Sequence, residues 1–201
     1  MTAMRNKFTN KIFIIANTHL YWDSSKINDQ LHELLELNGA LTNYVDEIHD
    51  KFQLVSYQNF GEEPNFSNVP IILCGDFNNN PKSVVYKYVI ENFCKNHKIN
   101  FRSAYDIYKK LMNNEEINDQ YGFDFEPNFT TFNYRRRWTI DYIFYNMNSL
   151  KVTHLLKLPT SSELDAPQQN NSSNLTNSSG IPNSEYPSDH LALLATFSTK
   201  E

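Results

Sequence analysis

Four short segments carry side chains able to handle a metal ion or a phosphate: Asn17-Thr18-His19-Leu20, Gly75-Asp76-Phe77-Asn78, Thr139-Ile140-Asp141-Tyr142 and Pro187-Ser188-Asp189-His190. Asp76 offers an anionic oxygen and Asn78, two residues on, an amide oxygen; both are hard donors suited to Mg²⁺. The same tetrapeptide also reads as an Asx turn that ends a strand. His19 can donate to a phosphate oxygen and stabilise charge that builds up as phosphorus becomes five-coordinate. It can equally be an ordinary hydrogen-bonded structural histidine. Asp141 lies inside an apolar run, where an unpaired carboxylate is costly, so it needs a partner. His190 is the candidate, because an Asp–His pair fixes the imidazole tautomer and raises its basicity. A turn or helix cap is the competing explanation for Asp189 and His190. Together the four segments supply metal-binding oxygens, two imidazoles and an orienting carboxylate, which suits metal-assisted attack of water on a phosphodiester.

Two further segments could hold a substrate. Tyr134-Arg135-Arg136-Arg137-Trp138 interleaves aromatics with arginines, a mixture that suits base stacking and backbone neutralisation on a single strand, or a hairpin with solvated charges. Tyr21 and Trp22, beside His19, suit stacking or the core.

These residues need elements to position them. Ile12 to Ala16 reads as a buried strand whose end delivers Asn17 and His19. From Ile27 to Phe52 apolar residues recur at three- and four-residue steps, the pattern of an amphipathic helix, with Asn38-Gly39 weakening its middle. Pro70 to Cys74 reads as a second buried strand ending at Gly75-Asp76. Asn80 then serves as a helix cap with Pro81 at the first helical position. A short helix is expected around Ala104 to Met112. Strands are expected at Phe129 to Asn133, Thr139 to Asn146, Leu150 to Leu158 and Leu191 to Phe197. Residues 160–184, rich in Ser, Asn, Gln and Pro, read as a disordered insertion with too few apolar anchors to offset its ordering entropy.

At 201 residues, with 40% hydrophobic and 14% aromatic content, the chain can bury a core. A net charge of −5 lacks the footprint of a general nucleic-acid binder, so such a partner must be held locally. Cys74 and Cys94 have no paired spacing and suggest neither a disulfide framework nor a zinc site. No apolar run approaches the ~20 residues of a membrane span, and the first residues lack the apolar centre of a secretory signal. A soluble intracellular protein, by default cytoplasmic, with no membrane partner is the expectation.

The set NTHLYWD, ILCGDFNNNPKSVVY, FTTFN, TIDYIFY and PSDHLALLATF resembles the C-terminal half of the carbon-catabolite-repressor/nocturnin/Angel branch of the endonuclease/exonuclease/phosphatase superfamily. The resemblance implies a four-layer α/β sandwich, two β-sheets covered by helices, with residues 11–199 forming the C-terminal part of one catalytic domain. It implies Mg²⁺, with Mn²⁺ as the alternative ion. His19 would contact the scissile phosphate, and Asp76 would orient or deprotonate the attacking water. Asp76, Asn78 and His190 would surround the metal, with Asp189 matched by position and Asp141 orienting His190. Asn17, Trp22, Tyr134, Arg136 and Trp138 are the expected substrate contacts. The branch reaction is 3′-to-5′ exoribonuclease action on single-stranded, adenine-rich RNA ends, releasing 5′-nucleotides. A 2′,5′-phosphodiesterase or a dinucleotide-cofactor phosphatase would use the same residues. The superfamily also places an Asn and the Glu of an LQE-type motif in its N-terminal half, and nothing before Ile12 matches them. The alternative is therefore a non-catalytic remnant or RNA-binding half-domain. Glu33 and Glu36 are expected on the solvated face of the helix. Membership of a larger deadenylase complex would be compatible with the resemblance, although no motif here indicates it.

Overall fold

The computed structural model describes residues 1–52, 65–113, 123–165 and 180–200. The elements run β1 (Thr2–Arg5), β2 (Ile12–His19), α1 (Ile27–Phe52), β3 (Ile71–Asp76), α2 (Val84–Asn92), β4 (Phe101–Ser103), α3 (Tyr108–Met112), β5 (Thr131–Phe132), β6 (Arg137–Trp138), β7 (Asp141–Asn146), β8 (Leu150–Leu155), α4 (Ser161–Leu164) and β9 (Ala195–Thr199). Strands β1-β2-β3-β7-β4 form one sheet in that spatial order, while β5-β6 and β8-β9 form separate two-stranded ribbons. Within the sheet β2 and β3 are parallel and the other pairs antiparallel.

Side chains alternate across a strand, and here the alternation sorts core from site. Ile14 and Ala16 of β2, Ile71 and Leu73 of β3, and Tyr142 and Phe144 of β7 point to one face. There they pack with Leu34, Leu41 and Val45 of α1 and Val85 and Val89 of α2. Each such fully buried Leu or Ile contributes roughly 1.5–3 kcal/mol. The other face carries Phe13, Ile72, Ile143 and Tyr145, which pack against Leu150, Val152, Ala195 and Phe197 of the β8-β9 ribbon. The described layers are thus helices, sheet and ribbon, a mixed α/β architecture. Lys151, Thr153, Thr196 and Ser198 on the ribbon's outer side are exposed.

Several boundaries differ from those expected. Helix α1 runs unbroken through Asn38-Gly39, where Asn38 Oδ1 accepts from Cys94 N at 2.7 Å. Helix α2 starts three residues later than Asn80-Pro81 suggested. Ser83 is its N-cap, accepting from Tyr86 N at 3.2 Å, while Asn80 closes a local turn onto Lys82 N. Strand β1 was not anticipated; its TAMR sequence has no apolar pattern, and it forms by pairing its backbone with Ile12 to Ile15.

The expected strands around Phe129–Asn133 and Leu191–Phe197 are both shortened. Backbone bonds from Phe132 N to Asp189 O (3.3 Å) and from Leu191 N to Thr130 O (2.7 Å) lay residues 189–191 along residues 130–132, and the last strand begins only at Ala195. The insertion expected at 160–184 is structured at both ends. A capping box between Thr160 and Glu163 starts α4, and Ile181 is buried with its N–H bonded to Phe132 O. Residues 166–179, its middle, lie outside the described residues.

Candidate active site

The parallel strands β2 and β3 end together, and β7 begins beside them running the other way. His19 pairs in register with Asp76, and Asp76 with Asp141, so three adjacent strands place these side chains in one row at the sheet edge. Open α/β sheets commonly place sites at the carboxyl ends of such strands. The close approach needs glycine at position 75. Its φ is +146°, and a Cβ there would lie 1.9 Å from Thr18 O.

His190 arrives from the 189–191 segment docked on β5. Its Nδ1 lies 3.0 Å from Asp141 Oδ2, and its Nε2 4.0 Å from Asp76 Oδ2. His19 Nε2 lies 3.6 Å from the same Asp76 oxygen. Asp76 therefore stands between two imidazoles, and its other oxygen accepts from the backbone N–H of Asn78 at 2.7 Å. The Asx turn and the chemically available carboxylate, alternatives in the sequence, coexist in one residue. Burial pushes the Asp76 carboxyl above its usual range, aided by the nearby Asp141 charge, while the Asn78 bond and both imidazoles oppose the rise. The His190 imidazole is held above its ordinary value, chiefly by its hydrogen bond to Asp141, with burial acting against it.

Asp141 has the partner its apolar surroundings require, and a second that sequence reasoning missed. Buried Thr130 donates its hydroxyl to Asp141 Oδ2 at 2.6 Å and accepts from Ile140 N and Asp141 N, both at 3.1 Å. Its only signal was its place in FTTFN. Thr131 Oγ1 donates to Asp189 O at 2.9 Å and so fixes the segment that carries His190.

Asp76, Asp141 and His190 have ligand atoms within 4.8 Å of one another and could hold a metal ion. With His190 Nδ1 committed to Asp141, the imidazole offers Nε2 toward Asp76, and this oxygen-plus-imidazole donor set suits a hard or borderline divalent ion. Asn78 sits in the left-handed region at φ 49°, its Nδ2 donating to Leu20 O at 2.8 Å. Asp189 is outside the three-residue cluster. Asn78, Asp189 and His190 instead share a cavity of about 590 Å³ with Tyr134, Arg135 and Arg136.

The remaining expected contacts divide. Tyr134 and Arg136 line that cavity; Asn17, Trp22 and Trp138 do not. Trp22 is exposed next to Tyr21. Trp138 on β6 lies beneath the Arg136 guanidinium at 4.9 Å. Asn17 occupies the row below His19, beside Cys74. Arg137 turns away to pair with Asp165 at 3.1 Å. The hairpin expected for this stretch is present as β5-β6, and it holds its arginines against aromatic rings and the cavity. Glu33, expected on a solvated face, instead accepts from Tyr21 N at 2.7 Å, whereas Glu36 stays exposed beside His32.

Residues 8–190 match the Endonuclease/Exonuclease/phosphatase family. The chain belongs to that family. It is 27% identical to the CCR4-Not complex 3′-5′-exoribonuclease subunit Ccr4 of Schizosaccharomyces pombe, over 100% of this chain and 29% of that protein. It is 28% identical to the protein of the same description in Emericella nidulans, over 98% of this chain and 30% of that one. Among solved structures, the human Nocturnin catalytic domain with bound sulfate is 26% identical with a TM-score of 0.53, covering 98% of this chain and 51% of that one. ANGEL2, a 2′,3′-cyclic phosphatase, shares the fold at 21% identity with a TM-score of 0.59, over 93% and 57% of the two chains. The Ccr4 and Nocturnin matches support the carbon-catabolite-repressor/nocturnin/Angel branch. The chain thus spans under a third of the Ccr4 proteins and about half of the Nocturnin and ANGEL2 chains.

Proposed function

We propose that the protein carrying this sequence is a Mg²⁺-dependent hydrolase of phosphodiester bonds, acting on the 3′ ends of single-stranded, adenine-rich RNA and releasing 5′-nucleotides. The observation that carries the reading is the row His19–Asp76–Asp141 with His190 bonded to Asp141. In this reading residues 11–199 are the C-terminal part of one catalytic domain, a placement that rests on the order of the motifs NTHL, GDFN, TIDY and PSDH.

In this reading Asp76, Asn78 and His190, with Asp189 nearby, hold the ion. Bound Mg²⁺ supplies Lewis-acid charge and lowers the pKa of water. Asp76 orients the water and takes its proton. His19, exposed at the strand end, donates to a phosphate oxygen. Asp141 holds the His190 tautomer, leaving Nε2 free to face the site. Tyr134, Arg135 and Arg136 bind base and phosphate of the strand in the cavity beside His190, which answers how an acidic chain could hold nucleic acid locally. Trp22 and Trp138 extend the stacking surface, and Asn17, exposed at the end of β2, is a further substrate contact. Two free cysteines, Cys74 and Cys94, suit an intracellular, cytoplasmic setting. Among the described residues no helix is long and apolar enough to cross a membrane.

The test is product analysis with Mg²⁺ on oligo(A), 2′,5′-oligoadenylate, NADPH and adenosine 2′,3′-cyclic phosphate. The reading expects 5′-AMP from oligo(A) at the highest kcat/KM. Preference for any other substrate refutes the RNA assignment while keeping the centre, and no turnover of any of them refutes the enzyme.

A further inference from the structure

The geometry points to Gln30 as a positioning residue that sets Asn78, an inference that rests on the reading of Asn78 as an oxygen donor to the metal. Gln30 lies near the start of α1, where the helical pattern places buried apolar residues, and its side chain is fully buried. A buried amide is retained without penalty only where both its ends are bonded. Here both are. Nε2 donates to Tyr21 O at 2.8 Å and reaches Asn78 O at 3.4 Å, while Oε1 accepts from Asn79 Nδ2 at 2.7 Å. The assignment of nitrogen and oxygen is fixed by chemistry, since the two carbonyls can only accept.

These bonds join the turns that follow β2 and β3. Tyr21 is two residues past His19, and Asn78 two past Asp76. Leu20 N donates to Asp76 O at 2.9 Å, and Asn78 Nδ2 returns to Leu20 O. Gln30 closes the unit from beneath, and Glu33 of the same helix adds the bond to Tyr21 N. Asn78 adopts a left-handed backbone, which asparagine tolerates better than other residues with a Cβ. Its amide nitrogen is committed, and among the described residues no donor reaches its Oδ1. Gln30 does not itself line the cavity and bonds none of the side-chain oxygens or nitrogens assigned to the metal. It acts through Asn78, whose backbone oxygen and next residue it grips.

The test titrates Mn²⁺ into the protein carrying this sequence by calorimetry, with paramagnetic broadening of the Asn78 side-chain amide as a second readout and thermal unfolding as the control for folding. Gln30→Met removes all three bonds. Gln30→Asn keeps an amide in the core but is one methylene too short to span the two turns, and it carries the test if the first variant does not fold. Both are expected to weaken Mn²⁺ binding on the order of tenfold, the usual scale for a residue that orients a metal ligand. In an Asn78→Ala background neither should weaken it further, whereas a general packing defect would add to that variant's loss. Affinity within twofold of wild type, or a loss undiminished without Asn78, overturns the inference. If Asn78→Ala alone binds Mn²⁺ as wild type does, it is the reading of Asn78 that fails, and the inference falls with it.

Discussion

Glu126 is buried, accepting from the Tyr86 hydroxyl at 2.9 Å and from the Ser103 hydroxyl. Burial pushes its carboxyl up to about 7 from an ordinary 4.5. The folded state therefore favours the protonated acid, so the stability this group contributes is complete below the unfolded value and lost as pH rises through the folded one. The ionised form is penalised by about 2.5 pKa units, on the order of 3 kcal/mol above neutrality. Glu126→Gln stays neutral and keeps an acceptor for Tyr86. It should raise unfolding free energy by about 3 kcal/mol near pH 8 and by less than about 1 kcal/mol near pH 5. Urea unfolding of both proteins at the two pH values measures this. Asp106, also raised by burial to about 6 despite its bond to Arg102, adds through its charge to the rise at Glu126, so the two titrations are coupled and the difference reports the pair. An equal effect at both pH values would refute the argument that Glu126 folds as the neutral acid.

Asp141→Asn weakens the hydrogen bond that chiefly holds the His190 pKa up and removes the charge beside it, so the imidazole should titrate lower; ¹⁵N chemical shifts of the ring followed against pH measure this, and an unchanged midpoint would contradict the pairing. The same change should slow hydrolysis on the order of 10–100-fold, the scale for losing a partner that orients a metal-binding histidine. Gly75→Ala drives a Cβ into Thr18 O, C and N within the β2-β3 ladder, all backbone atoms that cannot yield. A loss of about 3 kcal/mol or more is expected in urea unfolding, and near-wild-type stability would contradict the close approach.

What the sequence made legible follows from which interactions are local. Strands β2, β3 and β7 were readable because each is a short apolar run abutting a polar motif, and α1 because its apolar spacing persists over 26 residues. The row His19–Asp76–Asp141 needed only those strands to be neighbours. The docking of 189–191 on β5 is hidden in the sequence, since it depends mainly on backbone bonds, Phe132 N to Asp189 O and Leu191 N to Thr130 O, between segments far apart in the chain. That docking also shortened both expected strands. The α2 start was misplaced because Asn80 and Ser83 offer the same capping chemistry and only the folded path chooses between them. Thr130 and Gln30 were overlooked because a threonine in a β-rich run and a glutamine in a helix are unremarkable until burial leaves their polar atoms one set of partners. Glu33 was misjudged for a related reason. Its position on the helix predicts exposure, but the turn after β2 folds back over it.

The central claim is that Asp76 works at a metal-dependent hydrolytic centre. Its most direct test is the rate at which the protein carrying this sequence releases 5′-AMP from oligo(A) with Mg²⁺, compared with Asp76→Ala. The account predicts a loss of at least about 100-fold, the low end for removing a positioned base. A variant within about tenfold of wild type, under ~1.4 kcal/mol of barrier, would contradict it.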